Sequence, residues 1–390
     1  MQSDTEQAMA LMSDFAKRTG LAGYGEPQRY LWTDAFALMN ALALWRETGE
    51  QRWRDLADGL IAQVHAVLGK RRRDDPRSGW LSGLGEEEGE RHPTAGGLRI
   101  GKLLPDRPPG ELHNEGLEWD RDGQYWHYLT KWMDALSRAA ILWNDPRRCD
   151  HAIELAAATF PRFLQKSASG EPMGLAWKMS VDLSHPVVAG VNPHDALDGY
   201  VTFRWLGRTG EDTGLDEETA ILLALAEGNN SWATADPLGL GGLMLDAMRL
   251  SLLPDRTRTD ERLIADILAG VQAGLAHLVR SGQLDAPAAR RLAFRELGLA
   301  IGLQAVGVMS DAADKSLSLA RAAKPRLDAL QKLIGLGERI TAFWSDPANR
   351  RPASWMEHQD INEVMLATAL LHAFVGSAQE RPNSSQQYAG

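Results

Sequence analysis

Cysteine is all but missing from this chain of 390 residues, where Cys149 stands alone. A single thiol excludes an internal disulfide and any zinc site built from several cysteines, and such sparing use suits a reducing compartment. A basic excess is missing too. The net charge is −10 and the pI about 5.5, and the one dense basic run, Lys70 to Arg73, is followed at once by Asp74 and Asp75. Such a surface repels phosphate backbones, so nucleic acid is not expected as a partner. The opening residues "MQSDTEQAMALMSDF" carry acids where a signal peptide needs a basic region. No apolar run reads as long enough to cross a bilayer, so no membrane partner is expected and the chain reads as cytoplasmic. Valine, isoleucine and threonine are sparse, which leaves little material for a sheet.

Alanine, leucine, glutamate and arginine dominate instead, and apolar positions recur with the helical period. Helical patterns fall at 4–18, 33–48, 51–69, 123–143, 147–166, 195–207, 216–227, 237–252, 260–281, 286–308, 324–345 and 359–376. Turns at Gly49, at Asn144 and Asp145, and at Gly210 join many of them into hairpins. The other connections, 70–122, 169–194, 228–236 and 346–358, are longer and rich in Gly, Trp, His and Pro. Two kinds of helix alternate. "QRWRDLADGLIAQVHAVLG" (51–69) has a polar and an apolar side, whereas "TDAFALMNALALW" (33–45), "DPLGLGGLMLDAM" (236–248) and "INEVMLATALLHAF" (361–374) are apolar nearly all round. Buried and amphipathic helices alternating in hairpins predict an all-α fold, an (α/α)6 toroid of about twelve helices with an inner and an outer ring. A solenoid of helix pairs would need a fixed period near about 34 residues, which the hairpins lack. The toroid is expected to take residues 1–376 as one domain, with the polar 377–390 as a mobile tail.

In such a ring the even-numbered helices lie inside, and their N-termini all emerge at one end from the long connections. The flanks there are "YLWTD" (30–34), "EWDRDGQYWH" (118–127), "NPHDALDGY" (192–200), "NNSWATADP" (229–237), "QLDAPAARR" (283–291) and "WMEHQDINE" (355–363). All but the fifth mix carboxylates with Trp, Tyr, His or Asn. Pyranose rings pack their C–H faces on indole and need polar partners for their hydroxyls, so this combination points to a saccharide. Trp32, Trp119, Tyr125, Trp126, Trp232 and Trp355 are the candidate stacking residues, with core packing as the ordinary alternative for each.

Helical hairpins, acid-and-aromatic flanks before the inner helices and 13 tryptophans together resemble the six-hairpin glycosidase superfamily over roughly 4–376. That superfamily includes glucoamylase-like hydrolases, unsaturated glucuronyl hydrolases and, on a related toroid, N-acylglucosamine 2-epimerases. The resemblance is architectural and implies a carbohydrate-active enzyme. Glycoside hydrolysis needs two carboxyl groups. Glu118 and Asp120 are the leading candidates, with Asp195, Asp198, Glu357 or Asp360 as partners, although Asp120, Asp122, Asp195 and Asp360 could each serve as helix caps. Epimerisation needs two bases, for which His194 and His358 stand at the starts of two inner helices. A toroid that binds a glycan or a protein without catalysis is the third reading. His127, Lys131, Asp134 and Arg138 form a polar stripe at i, i+4, i+7 and i+11, expected to face the lumen with His127 and Lys131 nearest its mouth. Lys178 and His185 are expected to hang over the cavity, and 80–105 to form a lid. Glu118, Asp120 and Asp122 sit at calcium-loop offsets, but the position for a bidentate glutamate is Leu129, so no metal and no cofactor is expected. Nothing in the sequence speaks to oligomeric state.

Overall fold

The computed structural model describes residues 3–108, 110–209 and 213–376, so the expected tail at 377–390 and the turn at Gly210 lie outside the described residues. The protein is all-α. Its helices are α1 (Asp4–Arg18), α2 (Leu31–Thr48), α3 (Gln51–Leu68), α4 (Glu86–Arg91), α5 (Glu115–Asp120), α6 (Trp126–Trp143), α7 (Pro146–Phe163), α8 (Pro193–Leu206) and α9 (Asp216–Glu227). They continue with α10 (Pro237–Ser251), α11 (Arg258–Ser281), α12 (Ala293–Asp314), α13 (Leu317–Gln331), α14 (Ile334–Ser345), α15 (Ala353–Met356), α16 (Gln359–Leu371) and α17 (Ala373–Gly376). Two small antiparallel pairs accompany them: β1 (Gln124–Tyr125) with β4 (Lys178–Met179), and β2 (Leu164–Lys166) with β3 (Pro172–Leu175).

The order of packing follows from which helices are apolar on every side. Helix α2 is buried from Leu31 through Leu44, and α10 and α16 are buried almost throughout, so each needs neighbours all round. They find them in a closed cycle: α2 packs on α6, α6 on α8, α8 on α10, α10 on α12, α12 on α16, and α16 back on α2. The amphipathic helices cover this cycle from outside, α3 on α2, α7 on α6, α9 on α8, α11 on α10, α13 and α14 on α12, and α1 on α16. A continuous apolar cluster from Ala8 to Val375 fills the space between. The tightest seam is α10 against α12. A Cβ at Gly241 would meet the Gly298 carbonyl oxygen at 2.0 Å, and one at Gly302 would meet the Gly241 Cα at 2.5 Å, so only glycine allows the two backbones this approach.

Several expected boundaries move for identifiable reasons. The helix expected at 286–308 starts instead at Ala293, because short 3-10 turns at Gln283–Asp285 and Ala288–Arg290 take up the alanine-rich lead-in. The helix expected at 324–345 is two helices, α13 capped by the Ser316 side chain and α14 starting at Ile334. The expectation that no segment could cross a bilayer also needs correction: α11 is long and apolar enough by length and composition, although half of that apolar window is buried. It packs on α10 and α13.

Candidate functional site

The N-terminal turns of the inner helices meet around one open cavity of about 1430 Å3. Tyr30, Trp32 and Thr33 come from α2 and the residue before it, His127 and Tyr128 from α6, Leu238 from α10, Phe294 and Arg295 from α12, and His358 to Ile361 from the start of α16. Helix α8 reaches the same place through Asp195, whose Oδ1 lies 3.8 Å from His127 Nδ1. The volume exceeds the roughly 300–1,000 Å3 common for small-ligand clefts, which leaves room for more than one sugar-sized unit.

The floor is aromatic. Trp32 packs edge-on to His127 at 5.8 Å and tilted on Tyr128 at 5.3 Å. Tyr125 stacks on His127 at 5.4 Å and Tyr30 meets Tyr128 edge-on at 5.6 Å. The Tyr30 and Tyr128 hydroxyls are 2.8 Å apart, and burial raises both phenols, so each stays a neutral donor. Three buried polar atoms on this floor lack a hydrogen-bond partner: Trp32 Nε1, His127 Nδ1 and Asp195 Oδ2. A buried polar group left unmatched costs about 1–3 kcal/mol; the same is true of Glu118 outside the cavity lining and of Asp246 and Arg249 below the floor. Electrostatics separate the two titrating members. Burial pushes His127 down to about 4, helped by Lys131, and keeps its imidazole neutral. Burial, reinforced by the Asp198 charge, raises the Asp195 carboxyl well above its usual range.

Below the floor a column of charge runs down the inside of the cycle. Lys131 donates to Asp198 at 2.6 Å, and Thr130 donates to the other Asp198 oxygen. Arg249 reaches Asp134 at 3.1 Å, and Arg138 meets both oxygens of Asp134 at 3.2 Å. The far end is closed by Arg138 donating to the Phe374 carbonyl at 3.2 Å. Burial opposes ionisation of Asp198 and Asp134, but Lys131 and Arg249 around the first, and Arg138 and Arg249 around the second, outweigh it and hold both below the usual range. Asp246 goes the other way, raised to about 8 by burial and by the Asp198 charge. Of the stripe read at His127, Lys131, Asp134 and Arg138, His127 borders the cavity, Lys131 is half-buried, and Asp134 and Arg138 are buried.

The remaining expected site residues divide. Glu357, His358 and Asp360 line the cavity with Trp32 and His127. Asp360 is engaged by Arg18 at 2.8 Å, and the same guanidinium reaches Glu363 at 2.5 Å. Asp195 and Asp198 lie just behind the floor, and Asp195 is not the cap of α8, since Asn192 fills that role by accepting from the His194 amide. Glu118 lies outside the cavity lining. It is buried in α5 with Oε1 2.9 Å from Arg107 Nε, and Asp120 beside it is exposed. Lys178 does not hang over the cavity: it is buried and donates to the backbone carbonyls of Glu118 and Arg121. Burial and the neighbouring Lys102 lower it to about 8. Trp355 stacks on Trp344 of outer helix α14 at 5.6 Å, Trp126 packs on Phe160 and Phe163 of outer helix α7, and Trp232 lies against Gly270 of α11. These three indoles are core. Trp119 is half-buried, stacked on Tyr125 at 6.2 Å and edge-on to Trp177 at 5.0 Å. His194 packs on Trp232 at 5.8 Å, away from the cavity lining. Of the expected lid only 99 and 101–103 border the cavity, while Thr94 is tied to Glu154 of α7 and His185 contacts Ser184 at 2.9 Å.

Sequence reasoning missed Tyr30, Tyr128, Phe294 and Arg295 at the mouth and Asp246 and Arg249 in the column. It also missed the work of Asp122, whose carboxylate gathers Arg99 and the amides of Gly101, Lys102 and Gly123 and so fixes the cavity wall. No protein-family model matches the chain, and no curated protein does.

Proposed function

We propose that the chain is a carbohydrate-active enzyme built as an (α/α)6 toroid of the six-hairpin type, and that its mouth cavity carries out proton transfer on a saccharide. The reaction is epimerisation or isomerisation beside a carbonyl. One base takes the proton of a C–H bond, the electron pair moves into an enediolate, and a second base returns a proton to the other face or to the neighbouring atom. His127 and His358 are the bases, carried by α6 and α16, which flank α2 in the cycle. The observation that carries this reading is the cavity that brings His127 and His358 together with Trp32 and Tyr128. A neutral imidazole there can accept a proton, and Asp195 Oδ1 lies 3.8 Å from its Nδ1, where a positive charge on the ring would draw the raised carboxyl back toward its ionised form.

The sign of the surrounding charge supports the same chemistry. Nine lysines and arginines line the cavity against four carboxylates, and seven of the nine pair with a carboxylate in or outside the lining, so the positive surplus rests on Arg71 and Lys102. Positive surroundings favour the negative charge of an enediolate and oppose the positive charge of an oxocarbenium ion. Hydrolysis is the second reading, because Glu357 and Asp360 line the cavity and could act as its acid and base.

The test is incubation of the full chain with a panel of aldoses, ketoses and N-acylhexosamines in deuterium oxide, followed by proton NMR. Loss of a signal next to the carbonyl, dependent on His127, is the expected result. Release of a reducing end from disaccharides with no deuterium uptake would replace this reading with hydrolysis.

A further inference from the structure

The cations of the cavity wall are not equally committed. Two chain segments form that wall, 70–73 and 99–103, and they are clipped together: Arg99 Nε donates to the Lys70 carbonyl at 2.8 Å, and Arg72 donates to the Lys102 carbonyl at 2.5 Å. Lys70 is paired with Glu86, Arg72 with Asp74, Arg73 with Glu26 and Arg99 with Asp122. Arg71 and Lys102 differ. The carboxylate nearest Arg71 is Asp75 at 3.7 Å, and Asp75 already accepts from Arg77 at 3.0 Å and 3.1 Å. Arg71 Nη1 is buried without a hydrogen-bond partner. The Lys102 ammonium donates to the Trp119 carbonyl, a neutral acceptor, and among the described residues it has no carboxylate ion-pair partner. Both side chains border the cavity whose floor holds Trp32 and His127.

We infer that Arg71 and Lys102 form an anion subsite, and that the ligand of this cavity carries a carboxylate or phosphate group. The substrate class is then an acidic or phosphorylated sugar, with its ring over the aromatic floor and its charged substituent on the wall; this part rests on the saccharide reading above. The physical reason is the same for either group. Anionic oxygens would offer the Arg71 guanidinium a partner closer than Asp75, and they would favour the charged form of a lysine that burial pushes below its usual range. The negative charge would also raise the neighbouring imidazole toward neutrality, where a general base works best.

Titration calorimetry on the full chain tests this with four probes: inorganic phosphate, glucose, glucuronate and glucose 6-phosphate. Inorganic phosphate should bind with a Kd at or below about 1 mM, and at least one anionic sugar should bind about tenfold or more tighter than glucose. The better of the two anionic sugars tells carboxylate from phosphate. Arg71→Gln and Lys102→Gln together should abolish the preference and the phosphate heat. Absence of phosphate binding to the wild-type chain, which needs no variant to fold, overturns the subsite, as does glucose binding as tightly as both anionic sugars. Phosphate binding that the double variant leaves unchanged overturns it too. If phosphate binds through these residues and neither anionic sugar binds more tightly than phosphate itself, the subsite stands and the saccharide reading falls.

Discussion

The first turns of the inner helices border an open cavity and the turns below them pair opposite charges, although the same helices supply both. In the column, opposite charges pair, Lys131 with Asp198 and Asp134 with Arg138 and Arg249; all but the half-buried Lys131 are buried, and Asp246 Oδ1 and Arg249 Nε still lack a hydrogen-bond partner. At the mouth, polar atoms on Trp32, His127 and Asp195 are buried but unmatched, next to an open space. Paired buried charge fixes how helices sit against one another, while the first turn of the same polar stripe borders an open space.

Five substitutions test that difference. His127→Asn should lower turnover by about 10²- to 10⁴-fold with little change in the urea midpoint, because it removes the proton acceptor and keeps a polar group of similar reach. A variant with full turnover would remove His127 from the mechanism. Arg249→Met should do the reverse. It strips Asp134 and Asp198 of a cation in a buried setting and should cost about 3–5 kcal/mol of stability by urea unfolding, with ligand affinity of the folded fraction unchanged.

Asp246→Asn probes the column through pH. The native carboxyl titrates at about 8 against 3.8 for the ordinary group, so across that window the folded chain holds a proton the unfolded chain has lost. Stability from this group therefore falls as pH rises, by up to about 1.4 kcal/mol per pH unit, and the loss is complete above the folded value. Lys131, Arg249 and Asp198 face this group and remain in the variant. The drop in urea midpoint between about pH 5 and about pH 8 should be smaller in Asp246→Asn than in the wild type; equal drops would contradict the raised carboxyl. The smallest effect separates two tryptophans. Trp32→Phe should weaken ligand binding by about 0.5–1.5 kcal/mol through loss of the indole N–H, while Trp355→Phe should change stability alone.

How much of this could be read in advance follows from local signals. The all-α class came from composition and period, and the inner helices stood out because α2, α10 and α16 are apolar on every side. His127, Lys131, Asp195 and Asp198 were legible because helical spacing puts them on buried faces at the starts of apolar helices. An acid beside a tryptophan looks the same in sequence whether it meets a cavity or an arginine, and Glu118 lies beside Arg107, outside the cavity lining. Phe294 and Arg295 were hidden by a boundary: "APAARR" has helical propensity, yet the chain spends it on a 3-10 turn, and Arg291 folds back onto Glu296 at 2.6 Å. Arg249 and Asp246 could not be placed at all, since their partners lie on α6 and α8, far away in the chain.

A crystal of the full chain soaked with mono- and disaccharides tests the central claim most directly. A sugar ring is expected over Trp32 and Tyr128, between His127 and His358. A ring bound instead beside Glu118 and Arg107, with the floor of the cavity left empty, would contradict it.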